Sequence, residues 1–226
     1  MRYLKKPYKI NLVRYQTKEK LIQDLINDGY LKTPSIIEAF QNIDRKNFAP
    51  REFVEEAYGN YPLSIGFGQT ISQPLTVAFM LELLEPKASE KILDIGAGSG
   101  WQTALLAQIV GEQGKIIGIE RILELRLMAE QNVSKYNFIE KGVAKVLMLD
   151  GSKGYADDMP YDKIIAAAAA SEIPQAWKEQ LKIGGRIVAP INHSIIVLDK
   201  RGQNDFQKKQ YFGFSFVPLI VDKIST

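Results

Sequence analysis

The stretch Ile92-Leu93-Asp94-Ile95-Gly96-Ala97-Gly98-Ser99-Gly100 constrains the fold of this chain more than any other. A short apolar run meets glycine at every second position, and a helix-patterned run over 101–110 follows. That pattern is strand, tight turn, helix. Glycine has no Cβ, so the backbone can bend sharply there and a ligand can approach the main chain closely. The N–H groups that open a helix lack intrahelical partners and are expected to face that ligand. The expectation is therefore a nucleotide-like cofactor held at the first strand of an α/β sheet. A glycine turn alone does not say which cofactor.

The remainder of the chain repeats the strand–helix alternation. Apolar runs at 115–119, 143–149, 162–167 and 186–189 read as buried strands, with helix patterns at 122–135 and 174–181 between them. Gly184-Gly185 reads as the end of the last crossover. The segments 195–198 and 212–217 read as a strand pair around Gly202-Gln203-Asn204-Asp205. With 92–95 this makes an α/β, doubly wound, mostly parallel seven-stranded sheet with an antiparallel C-terminal edge hairpin. The N-terminal part reads as a helical cap. A loose lead-in over 1–16 precedes a helix over 18–28 that ends at Gly29, and Thr33-Pro34 opens a second helix as N-cap and first residue. No chemistry is visible there up to Phe48-Ala49-Pro50. There is no internal repeat, and 1–226 is expected to be one domain: cap and loop over 1–75, α/β core over 76–226.

Residues 57–74 form the exception. Glycines, prolines, hydroxyls and amides crowd the segment Tyr61-Pro62-Leu63-Ser64-Ile65-Gly66-Phe67-Gly68-Gln69-Thr70-Ile71-Ser72-Gln73-Pro74. A long polar loop between helical segments often carries function. The same Thr and Ser could equally cap the helix that starts near Pro74.

Composition removes several classes of chemistry. The chain has no cysteine and one histidine, His193, so thiol nucleophiles, thiolate metal sites, histidine triads and histidine-rich metal sites are not expected. His193 reads as a turn residue. The net charge of +3 comes from mixed signs, which is a solvated surface rather than a nucleic-acid stripe. No apolar run approaches the ~20 residues of a membrane span, and the basic N-terminus lacks the apolar core of a secretory signal. A cytoplasmic protein is expected.

The glycine spacing narrows the cofactor. Dinucleotide sites favour Gly-x-Gly-x-x-Gly against a pyrophosphate. Here the spacing is Gly-x-Gly-x-Gly and Asp94 precedes it. A carboxylate is unwelcome beside a pyrophosphate but suits an ammonium group. S-adenosyl-L-methionine carries an ammonium, a sulfonium, a ribose and an adenine, and no phosphate. Asp94 would take the amino-acid end and Asp150, at the end of the third strand, would lie near the adenine amine. Glu120 ends the second strand, where an acidic residue accepts from ribose hydroxyls, although it could also cap the following helix.

At this point the chain resembles the protein-L-isoaspartate O-methyltransferase family. The resemblance runs through Phe48-Ala49-Pro50, the loop from Pro62 to Pro74, the stretch Leu93 to Ala107, Ile119-Glu120-Arg121, Asp150-Gly151, Tyr161-Asp162, Glu179-Gln180-Leu181 with Gly184-Gly185-Arg186, and Phe216-Val217-Pro218-Leu219, in the family's order. The Gly-Gln-Thr-Ile-Ser loop is the most specific of these. The resemblance implies an enzyme that methylates the free α-carboxylate of isoaspartyl residues in damaged proteins and peptides, with S-adenosyl-L-homocysteine as product. It implies Ser72 as the active-site residue. Gln69, Thr70, Ile71, Asp94, Gly96, Gly98, Gly100, Glu120, Arg121, Asp150 and Gly151 are implied for the cofactor, and Gly66, Gly68, Phe216 and Val217 for the substrate peptide. No metal, nucleic acid or membrane is implied, and a monomer is expected. The chain departs from the family at Asn60, Ser64, Leu75 and the turn Asn192-His193-Ser194, of which Asn60 and Leu75 touch on substrate binding. A relative acting on an Asp in one dedicated peptide, and a non-catalytic binding module, are the competing readings.

Overall fold

The computed structural model describes residues 17–221, so the expected lead-in over 1–16 lies outside the described residues. Helix α1 (Lys18–Asn27) opens at Thr17, whose hydroxyl accepts from Lys20 N at 3.2 Å, and it buries Leu21, Ile22 and Leu25. Helix α2 (Pro34–Asn42) starts on proline as expected, but the Thr33 side chain does not cap it. The Thr33 hydroxyl donates instead to Glu82 Oε2 at 2.8 Å, while the Lys32 and Thr33 amides donate to Glu82 Oε1. Glu82 belongs to α3 (Pro74–Leu84), so the cap is tied to the next helix.

The 57–74 segment is more ordered than a loop. Strands β1 (Leu63–Gly66) and β2 (Gln69–Ile71) pair antiparallel around Phe67 and Gly68. Phe67 (φ 54°) and Gly68 (φ 71°) both lie in the left-handed region, the geometry that matches the twist of a two-residue hairpin. Helix α3 then begins at Pro74 without a side-chain cap from Gln73. Asn60 Oδ1 takes the Leu75 amide at 3.0 Å, which frees the serine and threonine of the hairpin from the capping role.

Seven strands form the main sheet, in the order β5–β4–β3–β6–β7–β8–β9. They are β3 (Lys91–Ile95), β4 (Lys115–Glu120), β5 (Ala144–Met148), β6 (Tyr161–Ala166), β7 (Leu181–Ile191), β8 (Ser194–Lys200) and β9 (Phe206–Phe212). The pairs from β5 to β7 are parallel and those joining β7, β8 and β9 are antiparallel. Helices α4 (Trp101–Val110) and α5 (Leu123–Ser134) pack with the cap on one face, with Ile92, Ile116, Ile165 and Val188 pointing into that core. Helix α6 (Gln175–Gln180) lies on the other, where Trp177 meets Leu93, Ile95, Ile117, Ile119 and Ile164. Right-handed crossovers that run outward in two directions from β3 and β6 put helices on opposite faces, and the strand order reverses between them. Ligands of open α/β sheets bind at that reversal, beyond the strands' C-terminal ends.

Two strand expectations need correction. Strand β7 begins at Leu181, so Gly184 and Gly185 lie within it rather than ending the crossover. A Cβ at Gly185 would stand 2.8 Å from the Asp162 carbonyl oxygen, so the glycine permits close strand approach. The last strand is Phe206–Phe212, not 212–217. Its middle residues, Gln207 to Gln210, are all exposed, so no period of two shows in its sequence. Its charged pair, Lys208-Lys209, suits an edge strand, which lysines protect from further pairing. His193 does sit in the β7–β8 turn, where its carbonyl accepts from the Gly213 and Phe214 amides.

Candidate active site

The glycine turn follows β3 at the strand-order reversal, and three contiguous cavities open around it. The inner cleft is bordered by Gln69, Gly96, Glu120, Arg121 and Gly151 among the expected residues. Between the hairpin and the turn, Thr70, Ile71 and Ser72 face Gly96, Gly98 and Gln102. On the outer side, Thr70 and Ser72 border an open groove with Pro62, Thr76, Phe216 and Val217. Thr70, Ser72 and Ala167 line both of the last two cavities, so Ser72 stands where the cavity between hairpin and turn meets the outer groove.

The turn itself differs from a phosphate cradle. The amides of Gly96 and Ala97 both donate to Ile119 O at 2.9 Å, Gly98 N donates to Glu120 Oε2 at 3.0 Å, and Gly100 N donates to Ala97 O at 2.8 Å. These four amides are taken by the chain itself, so the turn ahead of Trp101 offers none of them to a ligand. Ala167 N donates to Ile95 O, which sets the small residues Ala167 and Ala168 against Gly96. The alanine run thus keeps the floor of the site low.

The acidic residues divide. Glu120 is buried except for its edge on the cleft, and its Oε1 accepts from the Arg121 and Ile122 amides at 2.8 and 3.0 Å. It holds the turn that leads into α5 and borders the cleft, but it does not cap that helix, whose N-cap is Ile122 with no side-chain cap. Asp94 is fully buried beneath the turn, with Oδ1 accepting from Gln102 Nε2 at 2.7 Å and Oδ2 from Thr103 Oγ1 at 2.6 Å. Burial pushes its carboxyl up to about 6, against the pull of those hydrogen bonds. It does not border the cleft, so any effect on a ligand acts through the turn. Asp150 accepts from Ser152 N and Oγ and caps a short 3₁₀ turn, with Gly151 rather than Asp150 at the cleft wall.

The other glycines have structural duties. Gly100 (φ +87°) precedes α4, and a Cβ there would lie 2.9 Å from Ala129 O. Gly66 and Gly68 shape the exposed hairpin tip, where a Cβ would meet nothing within 4 Å.

The match to known proteins decides the family. The family model for protein-L-isoaspartate(D-aspartate) O-methyltransferase matches residues 16–224. The chain belongs to that family. A protein-L-isoaspartate O-methyltransferase of Methanopyrus kandleri is 38% identical over 209 residues, covering 91% of this chain and 92% of that one. The Methanococcus aeolicus enzyme of the same name is 40% identical over 205 residues, covering 89% and 93%. A Plasmodium falciparum protein described as an enzyme of this type, crystallised with S-adenosyl-L-homocysteine, shares the fold with a TM-score of 0.82 at 21% identity, covering 91% and 99%.

Within this isoaspartate methyltransferase family member, the structure also recruits residues that sequence reasoning passed over. Pro218, Leu219 and Ile220 wall the inner cleft, because the Ala169 amide donates to Val217 O and the Leu219 amide donates to Ala169 O, which folds the 217–219 segment back. The same contact brings Phe216 and Val217 beside Ser72, although they lie outside any strand. Leu75, a departure from the family, is buried in the core and does not face the groove. Arg45, in the cap that showed no chemistry, is buried beside the hairpin. No local pattern announces it, since its partners are backbone carbonyls distant in sequence.

Proposed function

We propose that this chain transfers the methyl group of S-adenosyl-L-methionine to the free α-carboxylate of L-isoaspartyl residues in damaged proteins and peptides, which starts repair through a succinimide. Residues 1–226 act as one methyltransferase domain. The observation that carries the reading is the position of Ser72 between the glycine-turn cleft and the outer groove. The cleft residues fit a donor without phosphate. Four amides of the turn are internally bonded, and a buried carboxylate lies beneath it, which favours a cation over a pyrophosphate. Gly96, Glu120, Arg121 and Gly151 would hold the donor, with Gln69, Thr70 and Ile71 above it. When bound, the donor supplies a methyl carbon already activated by a positively charged sulfur and departs as S-adenosyl-L-homocysteine.

The chain's own task is orientation. The substrate carboxylate is ionised at pH 7 and is itself the nucleophile, so no general base is needed. Ser72 Oγ–H donates to one carboxylate oxygen and leaves the other directed at the cleft. The hydrogen bond is neutral and single, which matters because the carboxylate loses its charge on the way to the ester. Thr70, Phe216 and Val217 hold the flanking peptide in the groove, and fixing the two reactants in line removes most of the entropic barrier. The hairpin, by overlying the turn, excludes water from the junction. The protein acts as a cytoplasmic monomer without nucleic acid or membrane. Among the described residues no helix is long and apolar enough to cross a bilayer.

The test pairs two peptides that differ only in isoAsp or Asp at one position, incubated with labelled donor. Base-labile label confined to the isoAsp peptide supports the proposal. Label on neither peptide, with S-adenosyl-L-homocysteine binding intact, rejects it.

A further inference from the structure

Arg45 is 2% exposed. Among the described residues it forms no ion pair, and its Nε is buried without a partner. Its two terminal nitrogens donate to backbone carbonyls on both sides of the hairpin. Nη1 reaches Ala57 O at 2.7 Å and Gly59 O at 3.2 Å, and Nη2 reaches Tyr61 O at 3.1 Å, Ile71 O at 3.4 Å and Ser72 O at 3.0 Å. Its guanidinium carbon lies 5.3 Å from the ring centroid of Trp101, the first residue of α4 after the glycine turn.

This is an expensive residue to bury. An isolated cation loses its hydration, and only carbonyl dipoles and an aromatic face replace it. Burial pushes the guanidinium down to about 9, so it remains charged at pH 7. A core arginine of this kind adds little to stability over an apolar residue of similar volume. What it adds is geometry. A hairpin of four and three residues is marginal by itself. The planar fork gathers the chain entering β1 and the chain leaving β2 at one point, and the contact of the cation with the Trp101 ring sets that point against the start of α4. Lysine offers a single point charge and cannot reproduce the fork.

We propose that Arg45 is a positioning residue for methyl transfer: it clamps the main chain of Ser72 to the base of the hairpin and, through Trp101, to the glycine turn. It touches neither substrate nor donor. The proposal rests on the role assigned to Ser72 above.

The test uses Arg45→Lys in the full chain with two independent readouts. Hydrogen exchange of the ligand-free protein is expected to speed at least tenfold across residues 69–73 while the amides of α4 stay within twofold of wild type. In methylation of the isoAsp peptide, kcat is expected to fall at least tenfold, with KM and S-adenosyl-L-homocysteine affinity within threefold. Wild-type exchange across 69–73, uniform acceleration along the chain, an unchanged kcat, or equal loss of kcat and product affinity each overturns it. If the wild-type protein labels neither peptide, the functional reading fails, and the exchange experiment still decides the clamp. If Arg45→Lys does not fold, Trp101→Leu replaces it, since it keeps all five hydrogen bonds and removes the aromatic face. Faster exchange across 69–73 with a several-fold lower kcat is expected there, and wild-type values for either overturn the proposal.

Discussion

Replacing Asp94 by asparagine should stabilise the ligand-free protein at alkaline pH while weakening its grip on a cationic ligand. The Asp94 carboxyl is fully buried and titrates near 6 rather than 3.8, chiefly because burial penalises its charge. The Thr103 and Gln102 hydrogen bonds offset part of that, and the nearby Glu120 charge adds to it. The sign follows from linkage. The folded state holds this proton more tightly than the unfolded chain, so the associated stability is complete below pH 4 and is lost as pH rises through 6. Roughly two decades of proton affinity, at about 1.4 kcal/mol each, make a penalty of ~3 kcal/mol at pH 8. Asparagine never ionises. Its carbonyl can accept from one neighbour while its amide donates to a turned Thr103 hydroxyl or Gln102 oxygen, so the site stays satisfied. Neutral hydrogen bonds are weaker than those to a carboxylate, which trims the gain to about 1–3 kcal/mol. At about 2–4 °C per kcal/mol for a chain of this size, Tm should rise by roughly 2–12 °C at pH 8. Urea unfolding of both proteins from pH 4 to pH 8 provides the measurement. The variant's advantage should shrink toward zero or reverse near pH 4. A variant that is less stable at pH 8, or whose offset is the same at every pH, would refute the argument. The same substitution should lower S-adenosyl-L-methionine affinity, so folding and binding move in opposite directions, which accounts for a destabilising charge kept beneath the turn.

Three further substitutions probe the site. Ser72→Ala should lower kcat ten- to a hundredfold with S-adenosyl-L-homocysteine affinity within twofold by calorimetry, and parallel losses would make Ser72 structural. Glu120→Ala removes the acceptor for the Gly98, Arg121 and Ile122 amides, and should weaken product binding tenfold or more; unchanged affinity would remove Glu120 from the cofactor site. Gly100→Ala combines a left-handed residue with a Cβ 2.9 Å from Ala129 O, whereas Gly66→Ala, equally left-handed, meets open space. Urea midpoints should show a loss of about 1 kcal/mol for Gly66→Ala and at least twice that for Gly100→Ala, and equal losses would mean that contact with α5 is immaterial.

Much of the fold was legible in local patterns. The 101–110 helix matches α4 end to end, because a run free of glycine and proline, with Ala104, Leu105, Leu106 and Ala107 at its centre, is bounded by Gly100 and Gly111. The parallel strands show as apolar runs because both of their faces are buried. Strand β9 was misplaced because its exposed middle residues, Gln207 to Gln210, carry no alternation, and the hairpin at 63–71 read as loop because Phe67 enters the left-handed region without being glycine. In the site, hydroxyls, glycines and carboxylates could be listed from the sequence, but their partners could not.

The turn after Ile95 marks the division. Sequence by itself determined that a strand ends there, that glycines allow the bend, and that a helix follows, since backbone freedom and apolar period are properties of neighbouring residues. Tertiary structure decided that the turn's amides serve Ile119, Ala97 and Glu120 rather than a phosphate, and that Asp94 lies under the turn. It also decided that Arg45 gathers the carbonyls of Ala57 and Ser72 at one point. Those are contacts between segments brought together only by burial of the two faces of the sheet, and no local preference of the chain encodes them.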